Sequence, residues 1–340
     1  MSAQKRRNVV ISGIFGTAVL GLAWVVALNY RRDIRAARER VSFGSQVVET
    51  PCGPIEYAIQ GEGPPVLVVH GASGGFDQGL EIIARDYVGE GFRFIAPSRF
   101  GYLRTPLPAN ATPVAQADAY ACLLDTLNIP RVAVVGSSAG AFSCVQFALR
   151  HPGRTSALVL AMPDVWAPAS QAPTQDLMAK GLNYLAVGGF ITDVVFRSDF
   201  IMWLVTKVAR PAMVTFLGVP KELQLQLTPA QEESISELMQ ALLPVSQRQE
   251  GIINDAINHA NRQRYPLERI TAPTLVVDAA DVSTYPGSKY TAENIPGARF
   301  LEFERGGHLL IGHEEEVRSQ VTAFLKQHAA PQEGGKAISE

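Results

Sequence analysis

Apolar and polar positions along this chain follow two alternating periods. Short, mostly β-branched apolar runs recur at Pro65–Val69, Phe92–Ala96, Arg131–Val135, Ala157–Ala161, Pro273–Val277 and Phe300–Phe303. Runs of this kind, bounded by turn residues, predict strands buried on both faces. Between them, apolar residues recur at helical spacing. This predicts a helix within 74–87, an amphipathic one at Val114–Leu127 and a third at Ala141–Arg150. Strands alternating with helices at this pitch predict an α/β fold with a mostly parallel, doubly wound sheet. Two further strands, Gln46–Thr50 and Ile55–Gln60, are joined at the turn-forming cluster Pro51-Cys52-Gly53-Pro54.

After Pro163 the alternation stops. Helical stretches such as Phe190–Val208 and Pro229–Leu243 follow, with aromatics at Trp166, Tyr184, Phe190, Phe196, Phe200, Trp203 and Phe216. A segment this long needs structure of its own. It reads as a helical cap, residues 164–268, inserted between the sixth and seventh strands. The core is then split into 45–163 and 269–330, and the polar, glycine-containing residues 331–340 are expected to be a disordered tail.

The N-terminal pattern differs from both. Val9–Leu28 carries no charge and is almost wholly apolar. At ~1.5 Å per residue it matches the ~30 Å hydrocarbon core of a bilayer. Lys5, Arg6 and Arg7 precede it, Trp24 and Tyr30 lie toward its far end, and Arg31 and Arg32 stop it. Residues 1–44 therefore read as a single-pass membrane anchor followed by a basic linker or short helix. A cleaved signal peptide is the rival; its apolar region is normally ~7–15 residues and ends in small residues. Arginines at 31, 32, 35, 38 and 40 lean the positive-inside count toward a cytoplasmic domain after the span, while the short basic N-tail argues for export.

Composition narrows the function. A net charge of −2 over 340 residues gives no basic surface for nucleic acid. Cys52, Cys122 and Cys144 have no metal-binding spacing, and their odd number and wide separation predict free buried thiols. No metal and no cofactor are expected; a small molecule is the expected partner, besides the lipid bilayer at residues 9–28.

The candidate chemistry begins at Gly136-x-Ser138-x-Gly140, placed where a strand meets a helix. A serine on so tight a bend has a strained backbone and an exposed hydroxyl, and side chains at the two glycines would clash across the turn. Ser138 is the candidate nucleophile; Ser137 faces the sheet. The strand before His70-Gly71-Ala72 ends in a turn able to aim the N–H of Ala72 at a developing oxyanion, with the N–H of Ala139 as the second donor. Downstream, the Pro273–Val277 strand exits into Asp278-Ala279-Ala280-Asp281, and the next strand leads to Gly306-Gly307-His308. The glycines let a loop bring His308 to the serine as general base.

With His70-Gly71, Pro97-Ser98-Arg99-Phe100-Gly101-Tyr102, the Gly136–Gly140 turn, the Pro273–Asp281 strand and loop, and Gly306-Gly307-His308 in chain order, the sequence resembles the α/β-hydrolases of the serine esterase, haloperoxidase and meta-cleavage C–C hydrolase group. The resemblance spans roughly residues 45 to 328 apart from the insertion. It implies a Ser-His-Asp triad. In the family the acid often lies four places past a histidine on the seventh strand, a count that lands on Val282 here. A loop shorter by one residue makes Asp281 the acid; Asp278 and Asp164 are the alternatives. Arg99 is expected in a structural ion pair and His70 as a structural hydrogen-bonder. Asp77 and Gln78 are candidates for the pocket mouth, and Arg248 for a substrate-binding cation. The expected function is a membrane-anchored serine hydrolase of small to medium apolar carbonyl compounds, either carboxylic esters or vinylogous diketones cleaved at a C–C bond. The rivals are a cofactor-free perhydrolase and a non-catalytic ligand-binding or sensor protein on the same fold.

Overall fold

The computed structural model describes residues 3–168 and 190–329; for residues 3–16, 18, 19 and 190–193 it describes the backbone alone. Tyr184 and the tail at 331–340 lie outside the described residues.

Eight strands form one sheet: β1 (Gln46–Thr50), β2 (Gly53–Gln60), β3 (Pro65–Val69), β4 (Arg93–Pro97), β5 (Val132–Ser137), β6 (Thr155–Ala161), β7 (Thr274–Ala279) and β8 (Arg299–Phe303). Their order is β1-β2-β4-β3-β5-β6-β7-β8. β1 and β2 pair antiparallel, as do β2 and β4; every later pairing is parallel. Alternate residues of the central strands feed two cores. Leu67, Val69, Val134, Leu158 and Val276 pack under the helices Pro113–Thr126 and Ala141–Arg150. Val66, Val68, Ala133, Val135 and Val277 pack on the opposite face against the π-helical segment Gly79–Val88 and the helix Glu314–His328. Being buried on both sides is why β3, β5 and β6 read as unbroken apolar runs.

Between β6 and β7 the described chain is helical: Phe190–Arg197, Asp199–Val208, Arg210–Phe216, Lys221–Gln224, Pro229–Ala241 and Gln249–Ala260. These helices share a third core, in which Met202, Trp203, Met213, Val214, Ile235, Met239 and Ile252 meet Tyr102 from the sheet side.

The N-terminus departs from expectation in two ways. First, the basic stretch is helical, as one of its two expected forms had it, but it is not a separate short helix: one continuous helix runs over Ala3–Ser42. Its last turns bury Ile34, Ala37 and Val41, spaced by three and four residues so that they share one face. Asp33 accepts a hydrogen bond from Trp203 Nε1 at 2.9 Å, and Arg38 pairs with Asp199 at 3.1 Å. The arginines of this stretch flank that buried stripe, which a reading by charge alone overlooks. Second, among the described residues no helix is long and apolar enough to cross a membrane. The side chains of half of Val9–Leu28 lie outside them, so the fold gives the bilayer-spanning expectation no support. Within the described part of that stretch, Leu20, Leu22, Trp24, Val25 and Leu28 are all exposed.

Two further expectations are corrected. Cys52 and Cys122, separated by 70 residues, form a disulfide, because the β1–β2 turn carrying Cys52 lies against the helix that carries Cys122. Cys144 alone is a free buried thiol, and burial pushes its pKa up. Arg248 presents no cation to a ligand: it is fully buried and pairs with Asp77 at 2.6 Å, while donating to the Gly74 carbonyl. Asp77 is thereby withdrawn from the pocket mouth.

Removing one member of a buried pair costs about 3–5 kcal/mol when the other charge is left uncompensated; here Arg40 Nε, 3.4 Å from Asp77, keeps part of the compensation. Arg248→Met is expected to destabilise the fold by less than that amount, and Arg248→Met combined with Asp77→Asn to recover only part of the loss, since Arg40 then loses its partner. Urea unfolding of the two variants beside the parent measures both values.

Candidate active site

The turn after β5 sets the geometry. Ser138 has φ of 49°, a left-handed conformation that is uncommon and strained outside glycine. A Cβ on Gly136 would stand 2.5 Å from Cys144 Sγ, and one on Gly140 would stand 2.5 Å from the His70 carbonyl oxygen. Both glycines are required for the helix Ala141–Arg150 to start this close to β3 and β5. The half-buried serine side chain is left at the C-terminal edge of the sheet, where it lines a cavity of about 550 Å³.

His308 reaches the same point from the loop after β8. Its Nε2 lies 3.0 Å from Ser138 Oγ. Gly306 and Gly307 have φ of 151° and 63°, so the loop folds back in a way that side chains would strain. Sequence reading missed what holds this loop from above. The His308 N–H donates to the Gly218 carbonyl at 2.8 Å, and a Cβ on Gly218 would lie 2.3 Å from His308 Cβ. The signal available was Phe216-Leu217-Gly218-Val219-Pro220, a turn between two predicted helices.

The three candidate acids have separate partners. Asp281 accepts from the backbone N–H of Gly307 at 3.0 Å and of Gly306 at 3.3 Å, so it grips the loop that presents His308. Asp278 is fully buried in β7; it accepts from the Ala279 N–H at 2.8 Å and from the Ser288 hydroxyl at 2.5 Å. Asp164 follows β6, and its own N–H donates to the Ser138 carbonyl at 3.1 Å. Its carboxylate pairs with His259 Nδ1 at 2.7 Å and Arg262 Nη1 at 2.8 Å. Burial acts to raise the Asp164 pKa, but the bonds from His259 and Arg262 outweigh it and hold the carboxyl below its usual range.

Ala72 and Ala139 both line the cavity beside Ser138. The loop carrying Ala72 is fixed by polar contacts. The Gly71 N–H donates to Gln78 Oε1 at 2.9 Å, and Arg99 donates to the carbonyls of His70 and Gly71, each at 2.9 Å. Arg99 in turn forms a buried two-pronged pair with Asp255, both contacts at 2.6 Å. His70 accepts from the Arg99 N–H at Nε2, so its Nδ1–H donates to the Gly71 carbonyl. Complete burial, reinforced by the Arg99 charge, holds its pKa well below the ordinary histidine value. It is a neutral structural side chain. The remaining cavity wall is mostly apolar, with Met202, Met213, Phe216, Leu242 and Ile252 supplied by the helices between β6 and β7. Among the described residues, no group of three or more His, Cys, Asp or Glu is placed to hold a metal ion.

Burial lifts the Asp278 carboxyl to about 7, against the hydrogen bonds from Ser288 and the Ala279 amide. A carboxyl with a higher pKa folded than unfolded binds its proton more tightly in the folded chain. Its stabilising contribution is therefore full below the unfolded value near ~4 and is lost as pH rises through the folded value. Stability is expected to fall over that window, and Asp278→Asn to remove this part of the slope. Urea midpoints taken at intervals between about pH 4 and 8 test it.

Comparison with known proteins agrees with this architecture. The uncharacterized hydrolase YcgS of Bacillus subtilis is 26% identical over 290 residues, covering 81% of this chain and 95% of its own length. The 2-hydroxymuconate semialdehyde hydrolase of Pseudomonas putida is 25% identical over 276 residues, or 79% of this chain and 89% of that protein. The solved structure of an alpha/beta hydrolase fold protein from Nakamurella multipartita superposes with a TM-score of 0.65 at 31% identity, covering 83% of this chain and 99% of that one. The sequence profile of the alpha/beta hydrolase fold family matches residues 64–313. With that match over more than half of its length, the chain belongs to the α/β-hydrolase fold family and is a hydrolase.

Proposed function

We propose that the protein is a serine hydrolase of small to medium apolar carbonyl substrates, with Ser138 as nucleophile and His308 as general base. The observation that carries this reading is the 3.0 Å contact between Ser138 Oγ and His308 Nε2 at one wall of a largely apolar cavity. His308 takes the hydroxyl proton as Ser138 Oγ bonds to the substrate carbonyl carbon, and the resulting oxyanion is held by the N–H groups of Ala72 and Ala139. The oxyanion collapses, the leaving group departs with the proton from His308, and water repeats the sequence to release the acid and restore Ser138. Asp281 orients His308 by fixing the two glycine amides before it, and its negative charge favours the protonated imidazole. The cavity suits carboxylic esters. The likeness to a hydrolase named for 2-hydroxymuconate semialdehyde supports a second reading, cleavage of a C–C bond in a vinylogous diketone.

Ser138→Ala is expected to abolish labelling by a fluorophosphonate probe and to lower turnover of p-nitrophenyl esters by several orders of magnitude; His308→Ala comes close to it, since the two act as a unit. Asp281→Asn is expected to cut kcat/KM by up to roughly 10⁴-fold, while Asp278→Asn and Asp164→Asn stay mild on the same esters. Steady-state kinetics on the single variants decide among the three carboxylates. A dienoate C–C substrate assayed beside the ester series separates the two chemistries.

We further propose that Val9–Leu28 anchors the protein in a membrane, a reading supported by its uncharged sequence and by the exposed Leu20, Leu22, Trp24, Val25 and Leu28. The Cys52–Cys122 disulfide supports placing the catalytic domain on the oxidising side, against the lean of the positive-inside count. The full chain is expected to resist carbonate extraction, and a chain beginning at Asn29, which keeps the packed turns with Ile34 and Ala37, to be soluble and active. Mass spectrometry of protein alkylated in intact cells is expected to find Cys52 and Cys122 unmodified until reduced. Carbonate-soluble full-length protein with an intact N-terminus rejects the anchor.

A further inference from the structure

The triad chemistry leaves one polar cluster of the cavity unused. Asp164, His259 and Arg262 line the same cavity as Ser138 and His308, within walls that are otherwise mostly apolar. His259, on the helix Gln249–Ala260, is 5% exposed, and its Nδ1 is bonded to Asp164. Its Nε2 is buried and has no hydrogen-bond partner among the described residues. A buried polar atom left unpaired is costly, and native structures seldom retain one without a use. The Asp164 carboxylate accepts the Nδ1 proton, so the missing hydrogen bond is the one at Nε2, which accepts in the neutral imidazole and donates in the charged one; a hydroxyl can answer either. Arg262 occupies the second oxygen of Asp164. The Asp164 N–H bond to the Ser138 carbonyl ties this cluster to the nucleophile's own turn.

We infer that His259 is a specificity-determining residue whose Nε2 forms a hydrogen bond with a hydroxyl group of the substrate, making the preferred substrates hydroxylated carbonyl compounds rather than plain alkyl ones. The inference rests on the serine-hydrolase reading of the cavity. An apolar pocket alone discriminates weakly between a chain and its hydroxylated analogue, whereas a site built to bond a hydroxyl rejects the analogue lacking it. Asp164 is then a positioning residue for His259, and its amide variant presents the wrong partner to Nδ1.

The test is a matched series: methyl octanoate and its monohydroxylated counterparts, with the hydroxyl moved along the chain, titrated calorimetrically into the Ser138→Ala protein. Binding to this variant needs no turnover, so its outcome is separate from the nucleophile assignment, which fluorophosphonate labelling of the parent protein decides. At one or more hydroxyl positions the hydroxylated ester is expected to bind at least tenfold more tightly. That ratio is expected to collapse toward one when His259→Phe is added, and to shrink with His259→Asn or Asp164→Asn, which preserve a polar side chain should the larger change impair folding. Equal binding of both members at every position, or no binding of either, overturns the inference. So does a preference that survives all three substitutions.

Discussion

The site depends on a buried charge that must be matched. Arg99 lies under the turn after β3, donates to the carbonyls of His70 and Gly71, and closes on Asp255 from a helix inserted some 150 residues later in the chain. A guanidinium taken out of water is tolerated only with its fork fully satisfied. The Asp255 carboxylate and the two carbonyls meet that demand together, and Tyr102 adds a hydrogen bond to Asp255. The consequence is geometric. The turn after β3, the β4 loop and the overlying helix are fixed by one charge, so the helices between β6 and β7 settle over Ser138 in a single register. Arg248 and Asp77 repeat the device a short distance away, from the same inserted segment to the residues that follow the turn after β3.

Ser138 and His308 are held by backbone constraints of the same kind. Ser138 is strained at positive φ because the chain must turn from β5 into a helix within the space left by Gly136 and Gly140. His308 is strapped from below by Asp281, through the two glycine amides, and from above by Gly218.

The sequence was informative where local chemistry has one solution. Unbroken β-branched runs gave β3, β5 and β6, since a strand covered on both faces admits little else. The small-residue turn at 136–140 and the double glycine before His308 marked the two residues that the fold brings to 3.0 Å. The acid was harder to read, because its position depends on a count of loop residues. Val282 occupies the familiar place, and the neighbouring Asp281 reaches backbone amides. Charge misled twice. Residues 31–42 look like a solvated basic linker, yet the helix phase buries Ile34, Ala37 and Val41; Arg248 looks like a surface cation and is among the most buried side chains of the chain.

By itself, then, the sequence determined the sheet and the strand-to-helix turn, and it singled out the serine and histidine that the fold brings together, because propensity, periodicity and glycine sterics act over a few residues. Only the tertiary structure decided who meets whom. It joined Cys52 to Cys122 across 70 residues, paired Arg99 with Asp255 and Arg248 with Asp77, and gave Asp164 to His259. Such pairings are set by the packing of segments far apart in the chain and by the requirement that every buried charge find an opposite one. Neither requirement leaves a trace in the residues adjacent to either partner.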